Sequence, residues 1–268
     1  MSTARNGDIA LAYDVQGSGP DLLLITGTAS TRAIWQLVRE GLAKSYRTIA
    51  FDNRDSGESS MAGAPYTLED LAADALAVLD DAGSTQAHVL GHSLGGAIAQ
   101  RTALSYPQRC RSLTLVSSWA RADDYSRNAI GLLKALSAGV ADDRTLLAAI
   151  IFTGAGTTTL SECDLWEKVD VAMQMGGLAP REALARQWQL DLDVDTIDDL
   201  GELRPPAHVV WCGEDRLLPQ PLSSRMLEAI PNAVETRIDA CGHVPMVDAP
   251  EDFLAAVLGF LDRSPGSG

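Results

Sequence analysis

Positive charge is what this chain has least of: 21 Lys and Arg stand against 36 Asp and Glu in 268 residues, a formal net charge of −15. No basic run offsets that deficit, so nucleic acids and anionic membrane surfaces are disfavoured as partners. Cysteine is scarce, and the four present, Cys110, Cys163, Cys212 and Cys241, show no short metal-type spacing. No metal is expected, and free thiols suit a cytoplasmic location. Long apolar runs are missing too. None approaches the ~20 residues needed to span a bilayer, and Met1-Ser2-Thr3-Ala4-Arg5-Asn6 lacks an apolar signal region. These absences exclude membrane insertion as an expectation. No internal repeat is found. What is plentiful is hydrophobic material, 46% of residues, beside an ordinary 21% charged, enough for a buried sheet covered by helices. At this length one large α/β core with a single insertion is expected.

The most informative stretch is Val89-Leu90-Gly91-His92-Ser93-Leu94-Gly95-Gly96, where an apolar strand gives way to a small-residue helix. The spacing Gly91-X-Ser93-X-Gly95 allows a turn so tight that the serine enters a strained conformation, its hydroxyl exposed above the sheet. The helix that follows directs the Leu94 N–H and the positive end of its dipole toward any oxyanion formed beside Ser93. Plain Gly/Ser turns share this spacing, so the weight rests on partners downstream. Asp215 follows the apolar run Val209-Val210-Trp211-Cys212, and His243 lies in Asp239-Ala240-Cys241-Gly242-His243, past the last β-type run. Of the four histidines, His88 and His208 lie inside expected strands and His92 fills the variable position between Gly91 and Ser93. His243 alone sits on a loop where a general base is needed. Glu214 adjoins Asp215 as a competing acid.

The order Ser, Asp, His, each on a loop after a strand, resembles the α/β-hydrolase superfamily. Upstream, Asp52-Asn53-Arg54-Asp55-Ser56-Gly57-Glu58-Ser59 is similar to that family's Asp-X-Arg-Gly-X-Gly-X-Ser segment, with Asp55 replacing the central glycine. Asp52 and Arg54 are read as structural, holding the loop with side-chain bonds. The resemblance implies a mostly parallel eight-stranded sheet flanked by helices. Residues 1–118 and 198–268 would form the core and 119–197 a helical cap. Through the family's Asp-Arg-X-X-Pro pattern it implies Asp215, not Glu214, as the acid. Thr28, third in Thr26-Gly27-Thr28 at the place of the family's His-Gly-X, would give the second oxyanion N–H. The implied activity is hydrolysis of a small carboxylic ester or lactone through an acyl-serine, most similar to the enol-lactonase, aminoacrylate-hydrolase and esterase branch, with no cofactor. A cofactor-free perhydrolase or a lyase would use the same three residues, and a ligand-binding module would keep them with slow turnover. The expected partner is the small ester or lactone itself; a homodimer is left open. In this superfamily the cap shapes the pocket, which makes Trp119, Ile150, Phe152, Trp166, Met173 and Met175 candidate lining residues, each equally able to pack inside the cap.

Periodicity supplies the remaining elements. Strands are expected at 8–16, 22–25, 46–51, 88–90, 111–117, 207–212 and 234–238. Helices are expected at 35–43, at 95–105, and from Thr67, where Thr67-Leu68-Glu69-Asp70 forms a capping box, to a stop at Gly83. Four more, at 126–138, 142–151, 162–174 and 180–190, fall in the cap, and two, at 225–230 and 251–261, close the chain. Asp191, Asp193, Asp195, Asp199 and Glu202 fall at positions 1, 3, 5, 9 and 12 of an EF-hand-like loop. Thr196 occupies the glycine position and Pro205-Pro206 blocks a second helix, so a solvated acidic connection is expected there. The tail Ser264-Pro265-Gly266-Ser267-Gly268 is expected to be disordered.

Overall fold

A computed structural model describes residues 1–140 and 142–264, so the expectation for 265–268 lies outside the described residues. Eight strands form one sheet: β1 (Ser2–Asn6), β2 (Ile9–Gln16), β3 (Asp21–Ile25), β4 (Arg47–Phe51), β5 (Ala87–His92), β6 (Cys110–Val116), β7 (Ala207–Cys212) and β8 (Val234–Ile238). Their spatial order is β1-β2-β4-β3-β5-β6-β7-β8. β2 runs antiparallel to β1 and β4, and every pairing from β4 to β8 is parallel. The first strand carries no apolar pattern. Only its Ala4 is buried, because an edge strand needs one inward side chain and otherwise pairs through its backbone.

The unbroken apolar run Leu22-Leu23-Leu24-Ile25 reflects a strand covered on both faces. Leu23 and Ile25 join one core with Val89, Leu113 and Leu115. That core is covered by α2 (Leu68–Asp81), α3 (Leu94–Ser105) and α9 (Gln220–Ala229). Leu22 and Leu24 face the other way, onto α1 (Gln36–Ala43) and α11 (Pro250–Leu261) through Val38, Leu42, Phe253 and Val257. Short α10 (Pro245–Asp248) links the last strand's loop to α11. The predicted capping box exists: Thr67 Oγ1 accepts from the Asp70 N–H at 3.2 Å, and Asp70 Oδ2 accepts from the Thr67 N–H at 2.8 Å.

Between β6 and β7 the chain forms α4 (Asp124–Gly139), α5 (Asp143–Gly154), α6 (Thr157–Glu162), α7 (Leu165–Gln174) and α8 (Arg181–Asp193). Two expectations need correction here. The helix expected over 162–174 begins only at Leu165, where the Asp164 carboxylate accepts from the Trp166 N–H at 2.7 Å, and Glu162 instead ends the preceding α6. The acidic stretch is not solvated throughout: Asp191 lies within α8 and is only 2% exposed. Among the described residues no group of three or more His, Cys, Asp or Glu side chains converges as a metal site, and no helix is long and apolar enough to cross a membrane.

Candidate active site

Ser93 stands between β5 and α3 with φ 55° and ψ −123°, a conformation that side chains resist. Neighbouring backbone imposes it. A Cβ on Gly91 would lie 2.0 Å from the Gly95 carbonyl oxygen, and one on Gly95 would lie 2.2 Å from that of Ile25. The spacing glycines are thus required by close approach of chain to chain. Ser93 donates its N–H to Val116 O at 2.9 Å, extending the sheet, while its carbonyl accepts from Ser118 Oγ at 2.9 Å.

Three side chains from distant parts of the sequence meet there. His243 Nε2 is 3.0 Å from Ser93 Oγ, and His243 Nδ1 is 2.8 Å from Asp215 Oδ2. The other Asp215 oxygen accepts from the N–H groups of Leu217 and Leu218, both at 2.9 Å. An ionised Asp215 can only accept, so Nδ1 carries the hydrogen and Nε2 is left to accept from the serine hydroxyl. The adjacent Glu214 turns away. Its carboxylate takes the N–H and hydroxyl of Thr158 at 2.8 and 2.6 Å, bonds that hold its pKa below the usual range. His92 Nε2 lies 2.8 Å from the His243 carbonyl oxygen and must donate to it. Burial pushes the His92 imidazole down to about 3, so it stays neutral and holds the backbone of the His243 loop.

Above Ser93 lies a cavity of about 480 Å³. Of the expected lining residues, Trp119, Ile150 and Met175 face it together with Ile130, Leu147 and Leu217. Phe152, Trp166 and Met173 are 52%, 43% and 39% exposed and stand outside its lining. Phe152 is covered by the Arg216 guanidinium and Trp166 by that of Arg144, cation–π contacts at the surface. Thr28 also borders the cavity, and its hydroxyl donates to Asp191 Oδ1 at 2.9 Å. As first residue of α3, Leu94 carries an N–H without an acceptor inside its helix. Asp52 and Arg54 hold loops as expected: Asp52 accepts from the N–H groups of Arg32 and Glu58, and Arg54 grips Asp74 with two bonds at 2.6 and 2.7 Å.

A family model described as alpha/beta hydrolase fold matches residues 20–250. The chain belongs to that family. One relative, "Putative carbamate hydrolase RutD" of Azorhizobium caulinodans, is 29% identical over 260 residues, covering 97% of this chain and 98% of that protein. A thermophilic esterase from Thermogutta terrifontis is 25% identical, with a TM-score of 0.85 over 97% of each chain. The enol-lactonase from Burkholderia xenovorans LB400, 20% identical, shares the fold with a TM-score of 0.88 over 98% of this chain and 100% of that one.

Two polar residues of this hydrolase stand where the sequence did not place them: Gln187 was not singled out, and Asp191 was expected in a solvated connection. Gln187 Oε1 accepts from the Ala29 N–H at 2.9 Å, and its Nε2 donates to Ser56 Oγ at 2.9 Å and Asp55 O at 3.1 Å. A signal existed. Leu184, Gln187, Trp188 and Asp191 follow helical i, i+3, i+4, i+7 spacing, which puts both polar residues on the face that Leu184 and Trp188 bury.

Proposed function

We propose that the chain is a serine hydrolase of small, uncharged carboxylic esters or lactones, with residues 119–197 as a cap over the site. The observation that carries this reading is the hydrogen-bonded run Ser93–His243–Asp215 at a mainly apolar cavity. Ser93 Oγ attacks the ester carbonyl while His243 Nε2 takes its proton. Asp215 keeps the hydrogen on Nδ1 and offsets the imidazolium charge that forms. The Thr28 and Leu94 N–H groups receive the oxyanion, each contributing about 3 kcal/mol. The imidazolium then protonates the departing alcohol. Water, deprotonated by His243, attacks the acyl-serine, releases the acid and restores Ser93. From a lactone both products remain one molecule.

Charge narrows the substrate. Among the described lining residues Lys168 is the one cation, beside Asp164, Glu167 and Asp248. A substrate carboxylate would enter against that excess, whereas an uncharged ester meets apolar walls.

A fluorophosphonate probe and p-nitrophenyl butyrate test the reading. Wild type should be labelled at Ser93 and turn over the ester. Ser93→Ala should lose labelling and at least about 10⁴ in kcat while keeping its melting temperature. Near-wild-type turnover by that variant would mean that another group does the chemistry.

A further inference from the structure

The turn after β3 passes close to the nucleophile: a Cβ on Gly27 would lie 2.7 Å from Ser93 Cβ. Ala29 holds φ 55°, the left-handed region that a residue with a Cβ resists. Its N–H finds its acceptor far along the chain, on Gln187 Oε1 in α8, and the Thr28 hydroxyl is taken one turn further on by Asp191. The same Gln187 amide reaches a second left-handed residue. Its Nε2 donates to the carbonyl of Asp55, which has φ 65° and whose carboxylate takes Arg186 Nε and Nη2 at 2.7 and 2.8 Å. One buried amide therefore bridges two turns in conformations that side chains disfavour, one of them beside Ser93.

We propose that Gln187 is a positioning residue for acyl transfer: by holding Ala29 left-handed it aims the Thr28 N–H at the oxyanion, so the oxyanion site is complete only while α8 is seated. The proposal rests on Ser93 as nucleophile and Thr28 as donor. It makes the cap part of the catalytic apparatus as well as a wall of the pocket. Loss of the Gln187 acceptor should weaken oxyanion binding and leave ground-state binding of the ester largely intact.

The test compares Gln187→Met, which keeps the volume and removes the acceptor, with Gln187→Glu, which keeps the acceptor. The readouts are the phosphonylation rate of Ser93 and kcat and KM for p-nitrophenyl butyrate. Gln187→Met should lose about tenfold to a hundredfold in kcat and in labelling, with KM within about threefold. Gln187→Glu should stay within about fivefold of wild type. Adding Ala29→Gly to Gln187→Met should recover much of the rate, because glycine holds φ 55° unaided. A side chain that only packs would give the opposite order, Met tolerated better than Glu, and no rescue; either result overturns the proposal. Should Gln187→Met fail to fold, Gln187→Glu decides alone: retained labelling upholds the role, and a hundredfold loss in a folded protein overturns it. If wild type itself is not labelled, the serine-hydrolase reading fails first, a result distinct from equal labelling of wild type and Gln187→Met.

Discussion

Two adjacent acids show how little a sequence neighbour says about a side chain's role. Asp215 turns inward to His243 and two backbone N–H groups, while Glu214 turns outward to Thr158. Asp215→Asn should cost about 10³–10⁴ in kcat by favouring the wrong imidazole tautomer. Glu214→Gln, assayed in parallel, should stay within about threefold, since Thr158 keeps an acceptor; the reverse ranking would transfer the role to Glu214. Asp191 gives a second prediction at this scale. Burial pushes its carboxyl up to about 8, against ~3.9 in an unfolded chain. Between those values the native protein keeps a proton that the unfolded chain releases. The contribution is therefore full below about pH 4 and is lost as pH rises through 8. The Asp191→Asn variant never ionises, and its amide oxygen still accepts from Thr28. Its melting temperature should gain on wild type by a few degrees between pH 4 and 8 and run parallel above; a constant gap from thermal scans would show that Asp191 does not hold its proton in the fold.

Elements were legible in proportion to how local their causes are. The capping box at Thr67 is written in four consecutive residues, and α2 starts there. Thr67→Ala should cost about 1 kcal/mol and lower the melting temperature by about 2–4 °C without changing kcat; an unshifted midpoint would show that packing alone fixes this helix end. Seven of the eight strands were visible from their own residues, most of them as apolar runs, and the polar β1 was not. The turn carrying Ser93 was legible because Gly91 and Gly95 are demanded by approach distances that leave no room for a Cβ. The pocket was not. Phe152, Trp166 and Met173 have the composition of a pocket wall, yet which face of a short helix turns inward depends on packing between helices. For Gln187 and Asp191, helical spacing marks the buried face but nothing in the sequence names Ala29 or Thr28 as their partners.

At the scale of the whole molecule the net charge of −15 surrounds a cavity that itself carries more carboxylates than cations. Turnover of an ester bearing a remote carboxylate, such as a hemisuccinate, should therefore be slower in kcat/KM than that of a neutral ester of equal size. The gap should narrow as salt is raised from about 10 to 500 mM, where the screening length shrinks from ~30 to a few Å. Salt-independent discrimination would place the selectivity in shape.

The helical segment is fastened to the core along two sides. α8 is held by Gln187 and Arg186, and the end of α5 by the His243 N–H on Gly154 O at 2.7 Å and by Arg216 on Ala155 O at 3.1 Å. Ala29, His243 and Arg216 sit on the loops of Thr28, His243 and Asp215, while Arg186 grips Asp55 in the loop after β4. α7 carries none of these bonds, and its exposed Val171 borders the cavity, as does exposed Leu37 of α1. A substrate entering past α7 would leave those bonds, and the loops they hold, undisturbed.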